Sequence, residues 1–200
     1  MPAALIFLRY DLARQRPHWV VCCGLPALII DSTLSILIAL MTTISRQIHV
    51  PYTAAQMFAL VNDVAAYPQF LPWCESARVL REAGAQMDAS IAMKVGSFRK
   101  SFATRNLNTP GEKIVVSLLD GPFKSLDGSW SFYNLPDTVG ADGALVPGGS
   151  VIRLDMTFEF ANKLIDLAIG PIFREIVRNL VGAFQQRATA IYGQALTHGN

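Results

Sequence analysis

Residues 151–192 read VIRLDMTFEFANKLIDLAIGPIFREIVRNLVGAFQQRATAIY, and this stretch decides the fold because its hydrophobic period changes partway along. Between positions 151 and 160 apolar and polar residues alternate, which predicts a strand with one covered face and one wet face. From Ile165 to Ile191 the apolar residues recur every three or four positions, which predicts an amphipathic helix. Thirty helical residues would measure about 45 Å, enough to cross a whole curved sheet.

The segments before this stretch predict the sheet that the helix covers. Strands are predicted at 44–50, 73–82, 86–96, 99–107, 112–120, 123–134 and 150–161. After the first of them, Thr53 and Gln56 have capping-box spacing, so a helix should begin there, and a short helical turn should run into Pro68. The later connections are too short for crossover helices, so the strands should be antiparallel. The predicted fold class is α+β, with a curved seven-stranded antiparallel sheet gripping the C-terminal helix.

Two segments interrupt these patterns. Gly170 and Pro171 lie near the start of the predicted C-terminal helix and should break or kink it. Residues 137–149 are rich in glycine and separate the last two strands. They have neither Walker nor GxGxxG spacing, so they predict a flexible connection rather than a phosphate-binding loop.

Composition sets wide limits on size and function. The chain has 200 residues, of which 52% are hydrophobic, so one domain with a sizeable core is expected. The formal net charge of +2 implies neither nucleic acid nor acidic lipid as a partner. The cysteines are Cys22, Cys23 and Cys74, and the histidines are His18, His49 and His198. Their spacing matches no disulfide framework, CxxC pair or HExxH motif, so no metal site is predicted.

The first forty residues form an N-terminal extension outside the predicted domain. Arg9, Arg14 and Arg16 precede residues 19–41, which are apolar enough to span a bilayer although Asp31 interrupts them. The extension could be a signal anchor, a cleaved signal peptide, or upstream sequence before a translation start at Met41. We expect the start at Met41, a domain over 41–196, and a tail over 197–200.

An unusually apolar turn lies between the first helical region and the second strand. Residues 67–74 read YPQFLPWC and hold three large aromatic residues and two prolines. Solvent-facing turns normally avoid such residues, so this turn is either folded into the core or forms the rim of a cavity. The aromatic and methionine residues of the strands and the C-terminal helix leave the same two alternatives, a filled core or a partly open cavity.

Three blocks together resemble a known family. They are residues 67–74, residues 121–132 with the sequence GPFKSLDGSWSF, and a C-terminal run that includes Phe158, Phe173, Phe184 and Tyr192. The order of these blocks resembles the coenzyme Q-binding START-domain family, which includes the bacterial ribosome association toxins and lies within the polyketide cyclase/dehydrase-like superfamily. The resemblance extends from residue 42 to residue 193.

The resemblance implies a START/Bet v 1-like helix-grip fold and a ligand site. It places Tyr67, Pro68, Phe70, Leu71, Pro72 and Trp73 at the cavity mouth, Trp130 and Phe132 on the sheet wall, and Phe173 and Val177 on the helix wall. Met93, Met156, Phe158 and Leu167 are further candidates for the space between sheet and helix. The implied ligand is ubiquinone or a similar isoprenoid lipid, bound without a further cofactor.

The function that follows from the resemblance is that of a lipid chaperone. Such a protein would support quinone synthesis or delivery in respiratory electron transport, in the cytoplasm with peripheral contact to the inner membrane. Catalysis is not expected, because Cys74 and His49 lack an orienting partner and the carboxylates form no evident pair.

The toxin branch of the family implies a different function, binding of the large ribosomal subunit to block subunit association. Candidate phosphate contacts for that function are Arg78, Arg81, Lys94, Arg99, Lys100, Arg105 and Lys113.

Overall fold

The computed structural model describes residues 41–193. The predictions made for the extension at 1–40 and for the tail at 197–200 therefore lie outside the described residues. No helix within 41–193 combines the length and the hydropathy needed to cross a membrane.

Nine strands, two α-helices and one 3₁₀ helix make up the described chain. The strands are β1 (Thr42–Val50), β2 (Cys74–Ala83), β3 (Gln86–Val95), β4 (Phe98–Thr109), β5 (Lys113–Asp120), β6 (Phe123–Asn134), β7 (Thr138–Val139), β8 (Leu145–Val146) and β9 (Ser150–Phe160). The helices are α1 (Ala54–Asn62), the 3₁₀ helix (Val64–Gln69) and α2 (Lys163–Tyr192). The seven long strands and the long last helix confirm the predicted elements.

The seven long strands form one antiparallel sheet in the order β1-β9-β6-β5-β4-β3-β2. The antiparallel arrangement was predicted, but the position of β1 was not, because pairing between the first and last strands leaves no local signal in the sequence. Ile44 of β1 lies opposite Met156 of β9, and β2 forms the far edge of the sheet. The sheet folds around α2, which confirms the α+β helix-grip class.

Side-chain caps fix where both α-helices begin. The Thr53 hydroxyl accepts from the Gln56 amide at 3.1 Å, and the Gln56 side chain accepts from the Thr53 amide at 2.8 Å. This confirms the predicted capping box. At the start of α2 the Asn162 side chain accepts from the Ile165 amide at 3.0 Å. The caps satisfy backbone donors that have no partner inside the helix.

Pro171 does not break α2, which is helical from Lys163 to Tyr192. Pro171 and Leu167, whose carbonyl would have accepted the missing backbone bond, both lie on the exposed side of the helix, where water can satisfy that carbonyl. Next to the proline, an ion pair passes over Gly170, with the Arg174 Nη1 atom 2.9 Å from the Asp166 Oδ1 atom. The predicted break does not occur, because exposure lowers the cost of the proline, and the alternative of a kink stays a prediction.

The glycine content of residues 137–149 predicted a flexible connection, but this segment contains a short hairpin. β7 and β8 pair with each other as a separate two-stranded ribbon. Gly143 has a φ of +76° in the connecting turn, and the Asp142 carboxylate accepts from the Ala144 amide at 3.0 Å. Glycine supplies a backbone conformation that other residues rarely adopt, so here it permits a hairpin.

Aromatic rings fill the space where α2 meets the sheet. At one end the Phe173 ring centroid lies 4.8 Å from that of Phe158 and 4.9 Å from that of Phe123. In the C-terminal half of the helix the Phe184 ring lies 5.3 Å from Trp130 and 5.5 Å from Tyr67. Edge-to-face and tilted pairs at these separations are favourable, so the rings hold helix, sheet and turn together.

Phe184→Ala should destabilise the protein by about 3–5 kcal/mol, because the ring is fully buried and a cavity would remain after truncation. Urea unfolding followed by circular dichroism measures the change. Leu145→Ala is the control, since Leu145 lies in the β7–β8 ribbon and is 70% exposed. Equal midpoints for the two variants would contradict this account of the core.

Candidate lipid-binding site

A small apolar cavity lies between α2 and the inner face of the sheet. Its volume is about 80 Å³. The lining residues come from every layer of the fold: Val61, Val64, Tyr67, Trp73, Ala89, Ile91, Phe102, Thr104, Asn106, Ile114, Val116, Leu126, Trp130, Met156, Phe173, Ile176, Val177 and Leu180. Typical ligand pockets measure roughly 300–1,000 Å³. The cavity in this conformation is therefore far too small for a quinone ring with an isoprenoid tail.

A larger groove opens on the surface beside the cavity. It has a volume of about 720 Å³ and separates residues 70–73 of the aromatic turn from one side of α2. Its lining residues are Phe70, Leu71, Pro72, Trp73, Pro171, Ile172, Glu175, Ile176, Asn179, Leu180, Gly182, Ala183 and Gln186. Trp73, Ile176 and Leu180 line both spaces, so these three side chains form the wall between groove and cavity.

The aromatic turn is fastened to its surroundings on both sides. The Tyr67 hydroxyl donates to the Val61 carbonyl at 2.7 Å, and the Phe70 ring lies 5.2 Å from that of Phe184. Burial raises the pKa of the Tyr67 phenol well above its ordinary value, so the ring stays neutral. The Arg187 guanidinium lies 5.2 Å from the centre of the Phe70 ring. The sequence left open whether the turn is folded into the core or forms the rim of a cavity. In the structure the turn is part of the core and also one wall of the groove.

The predicted site residues fall into three groups. Those that line the cavity are Tyr67, Trp73, Trp130, Met156, Phe173 and Val177, and those that line the groove are Phe70, Leu71, Pro72 and Trp73. Met93, Phe132 and Phe158 are buried in the core and line neither space, whereas Pro68 is exposed. Their assignment to a ligand site stays a prediction without support from this geometry.

Leu167 requires a correction. It was expected between sheet and helix, but it lies on the outer side of α2 and is 78% exposed. Together with its helical neighbours it forms an apolar surface that we call the leucine stripe, made of Leu164, Leu167, Ala168, Pro171 and Ile172. The helical pattern of the sequence is apolar on more than one side here, so periodicity alone could not tell which leucines face inward.

Two polar residues of the cavity were missed by the sequence analysis. Thr104 is 5% exposed and Asn106 is 7% exposed, and both point to the inner face of β4 as Phe102 does. The Thr104 hydroxyl donates to the Asn106 Oδ1 atom at 3.1 Å. The signal was available, because two polar residues at the inward positions of an alternating strand are unusual in a core.

The structure separates the two side chains considered for catalysis. His49 lies on β1 and its Nε2 atom is 2.8 Å from the Gly148 carbonyl, whereas Cys74 begins β2 at the opposite edge of the sheet. Burial raises the pKa of the Cys74 thiol to about 11, so the thiol is protonated at neutral pH and is a weak nucleophile. Within residues 41–193 no cluster of His, Cys, Asp or Glu could hold a metal ion.

Basic residues collect on the outer face of the sheet. Strand register places Arg78, Arg81, Lys94, Arg99, Arg105 and Lys113 on this face, and Lys100 opposite Met93 on the inner face. Arg105 makes an ion pair with Asp88 at 2.9 Å, which lowers the pKa of that carboxyl. Glu75 pairs with Arg99 at 3.1 Å and with Lys94 at 3.9 Å. Arg78, Arg81 and Lys113 make no ion pair with another described residue.

Comparison with known proteins gives matches over the same part of the chain. A family model described as polyketide cyclase/dehydrase and lipid transport matches residues 50–185. A relative named ribosome association toxin RatA from Vibrio cholerae is 43% identical over 154 residues, which cover 77% of this chain and all of that protein. A mitochondrial relative from Xenopus laevis, named coenzyme Q-binding protein COQ10 homolog B, is 26% identical over 72% of this chain and 56% of its own length.

A solved structure gives the same picture of the fold. A START superfamily protein from Mycobacterium smegmatis superimposes with a TM-score of 0.59 at 19% identity, covering 74% of this chain and 98% of that one. At this identity the likeness concerns the fold alone.

Proposed function

Since the chain belongs to the polyketide cyclase/dehydrase and lipid-transport family, we propose that it binds ubiquinone or a similar isoprenoid lipid and carries it without chemical change. The observation behind this proposal is a groove that shares a wall, formed by Trp73, Ile176 and Leu180, with the internal apolar cavity. The relative named for coenzyme Q binding supports the choice of ligand. The family also takes in cyclases, but the proposed role needs no catalytic group.

Uptake of the ligand requires a change in the wall between the two spaces. The groove is large enough for part of an isoprenoid tail, whereas the cavity must expand before it accepts a ring. Trp73 is only partly buried and packs at the edge of the core, so its rotation costs fewer contacts than movement of a central residue. We therefore assign Trp73 the role of a gate that lets the ligand enter from the groove.

Ubiquinone should be recovered from the purified protein by organic extraction and mass spectrometry. Trp73→Ala should weaken binding of a short-chain ubiquinone about 10-fold, since an aromatic anchor contributes roughly 1–2 kcal/mol. Quenching of tryptophan fluorescence measures the binding, because Trp130 lines the cavity in the variant as well as in the unsubstituted protein. Tyr133→Ala is the control, as Tyr133 is exposed on β6 and lines neither space. Quinone-free extracts together with an absence of quenching would rule out the proposed ligand.

The leucine stripe is the proposed contact with a membrane. Leu164 is 80% exposed, and Pro171 and Ile172 belong both to the stripe and to the groove. A lipid that leaves a bilayer at the stripe would thus enter the groove without crossing water. Lys163 precedes the stripe, and Lys100 lies on the inner face at the same end of the sheet, so both can meet anionic headgroups. Inserted leucines at an interface contribute binding energy in proportion to their buried apolar area.

The double variant Leu164→Glu/Leu167→Glu should lose most of its binding to vesicles of phosphatidylglycerol and phosphatidylethanolamine. Flotation of the full chain with these vesicles measures the effect, because carboxylates cannot enter the acyl region at low cost. Val139→Glu/Leu145→Glu is the matched control, with equally exposed residues in the β7–β8 ribbon. Equal loss in both double variants would mean that the stripe is not the membrane contact.

Binding to the large ribosomal subunit is a second candidate function. The basic outer face of the sheet favours it, and a relative from Vibrio cholerae is named a ribosome association toxin. This surface lies on the opposite side of the sheet from cavity and groove, so both functions could reside in one molecule.

Arg78→Glu/Arg81→Glu should lower co-sedimentation with large ribosomal subunits and flatten its salt dependence, because fewer phosphates would be neutralised. Arg46→Glu/Arg153→Glu is the control, since these residues lie on β1 and β9, at the edge of the sheet opposite to β2. If no protein sediments with the subunits even at low salt, the second function is excluded.

A further inference from the structure

We propose that the buried pair Thr104 and Asn106 recognises a carbonyl oxygen on the head group of the ligand, which enters ring first and leaves its tail in the groove. The inference rests on the proposed lipid binding and adds the chemical class and the direction of the ligand. It begins from one anomaly, a polar pair in an otherwise apolar cavity.

The hydrogen bonds of the pair leave the amide NH₂ as the available donor. The Thr104 hydroxyl donates to Asn106 Oδ1, which orients the amide. The Asn106 Nδ2 group makes no hydrogen bond to any other described residue, although the side chain is more than nine-tenths buried and lines the cavity. The residue lines the cavity, so a ligand that brings an acceptor can make a hydrogen bond there that a pure hydrocarbon cannot make.

The lining of the cavity also indicates that the head group of the ligand is uncharged. None of the side chains that line the cavity carries a formal charge in the described chain. A carboxylate or phosphate would therefore be buried without a counter-ion, at a high desolvation cost. A neutral ring that bears a carbonyl oxygen satisfies the amide donor without that cost. Quinones have this chemistry, whereas fatty acids and isoprenoid hydrocarbons do not.

The strand register fixes the direction of the ligand. The Lys94 amide donates to the Trp73 carbonyl at 2.9 Å, which places the gate beside the C-terminal end of β3. Asn106 lies opposite Met87, near the first residues of the same strand. The seven-residue separation between Lys94 and Met87 corresponds to about 23 Å along a strand. The polar pair and the gate are thus at opposite ends of the cavity, so a head group bound at Asn106 leaves its tail at Trp73.

The test compares two probes that have the same tail but differ in whether the head group bears carbonyl oxygens. One is ubiquinone with a two-isoprene tail, and the other is benzene that carries the same tail. Asn106→Leu should weaken binding of the quinone about 3- to 10-fold and should leave binding of the hydrocarbon unchanged or stronger. Isothermal titration of the full chain in mild detergent measures both affinities. Thr104→Val should lower the quinone preference less, because it removes only the partner that orients the amide.

Asn108→Leu is the matched control for this substitution. Asn108 lies on the same strand and on the same side as Asn106, but it bonds to Asn62 and does not line the cavity. Its replacement should leave the ratio of the two affinities unchanged. An unchanged ratio in Asn106→Leu would overturn the inference while lipid binding stands. Failure of the unsubstituted protein to bind either probe would instead refute the proposed function.

A measurement on the unsubstituted protein covers the case in which Asn106→Leu fails to fold. The side-chain NH₂ resonances of Asn106 in a ¹H–¹⁵N spectrum should shift when the quinone binds, and should shift much less with the hydrocarbon probe. Equal shifts with both probes, or no shift with the quinone, would contradict the inference.

Discussion

The packing of α2 into the concave face of the sheet is the interaction on which the rest of the structure depends. Phe173, Val177, Val181 and Phe184 are buried along the helix side that faces the strands. Their burial contributes stability at roughly 25 cal/mol for each Å² of apolar surface. Both the cavity and the groove are spaces beside this contact, and the helix supplies a wall to each. The shape of the site is therefore set by how completely the helix fills the sheet.

The helix fills it almost completely, and this limits how the proposed ligand can enter. Aromatic side chains close one end of the interface, around Phe123, Phe158 and Phe173, and leave a void of about 80 Å³ nearer to Asn106. Close-packed regions resist expansion, because every displaced side chain loses contacts. The partly buried wall at Trp73 is a less costly place for movement. The proposed path of the ligand follows from this difference in packing.

The two sides of the sheet offer different chemistry. The inner side has an apolar groove, a cavity with one polar end and an exposed leucine stripe, whereas the outer side has arginines and lysines, several of them tied to Glu75 and Asp88. Alternation along the strands produces this division, because neighbouring residues point to opposite faces. A lipid-binding function and an anion-binding function therefore need not compete for the same residues.

The sequence by itself determined the seven long strands, the two α-helices, their order and the helix-grip class, because alternation in strands and helical spacing in α2 are local properties of the chain. The resemblance carried by the sequence also pointed to Tyr67, Trp73, Trp130 and Phe173, which all line the cavity. Only the tertiary structure decided that Leu167 faces outward and that Met93 and Phe158 are packed in the core without lining the cavity or the groove. Those outcomes depend on which side of each element meets a distant neighbour, and contacts between residues far apart in the chain leave no local pattern.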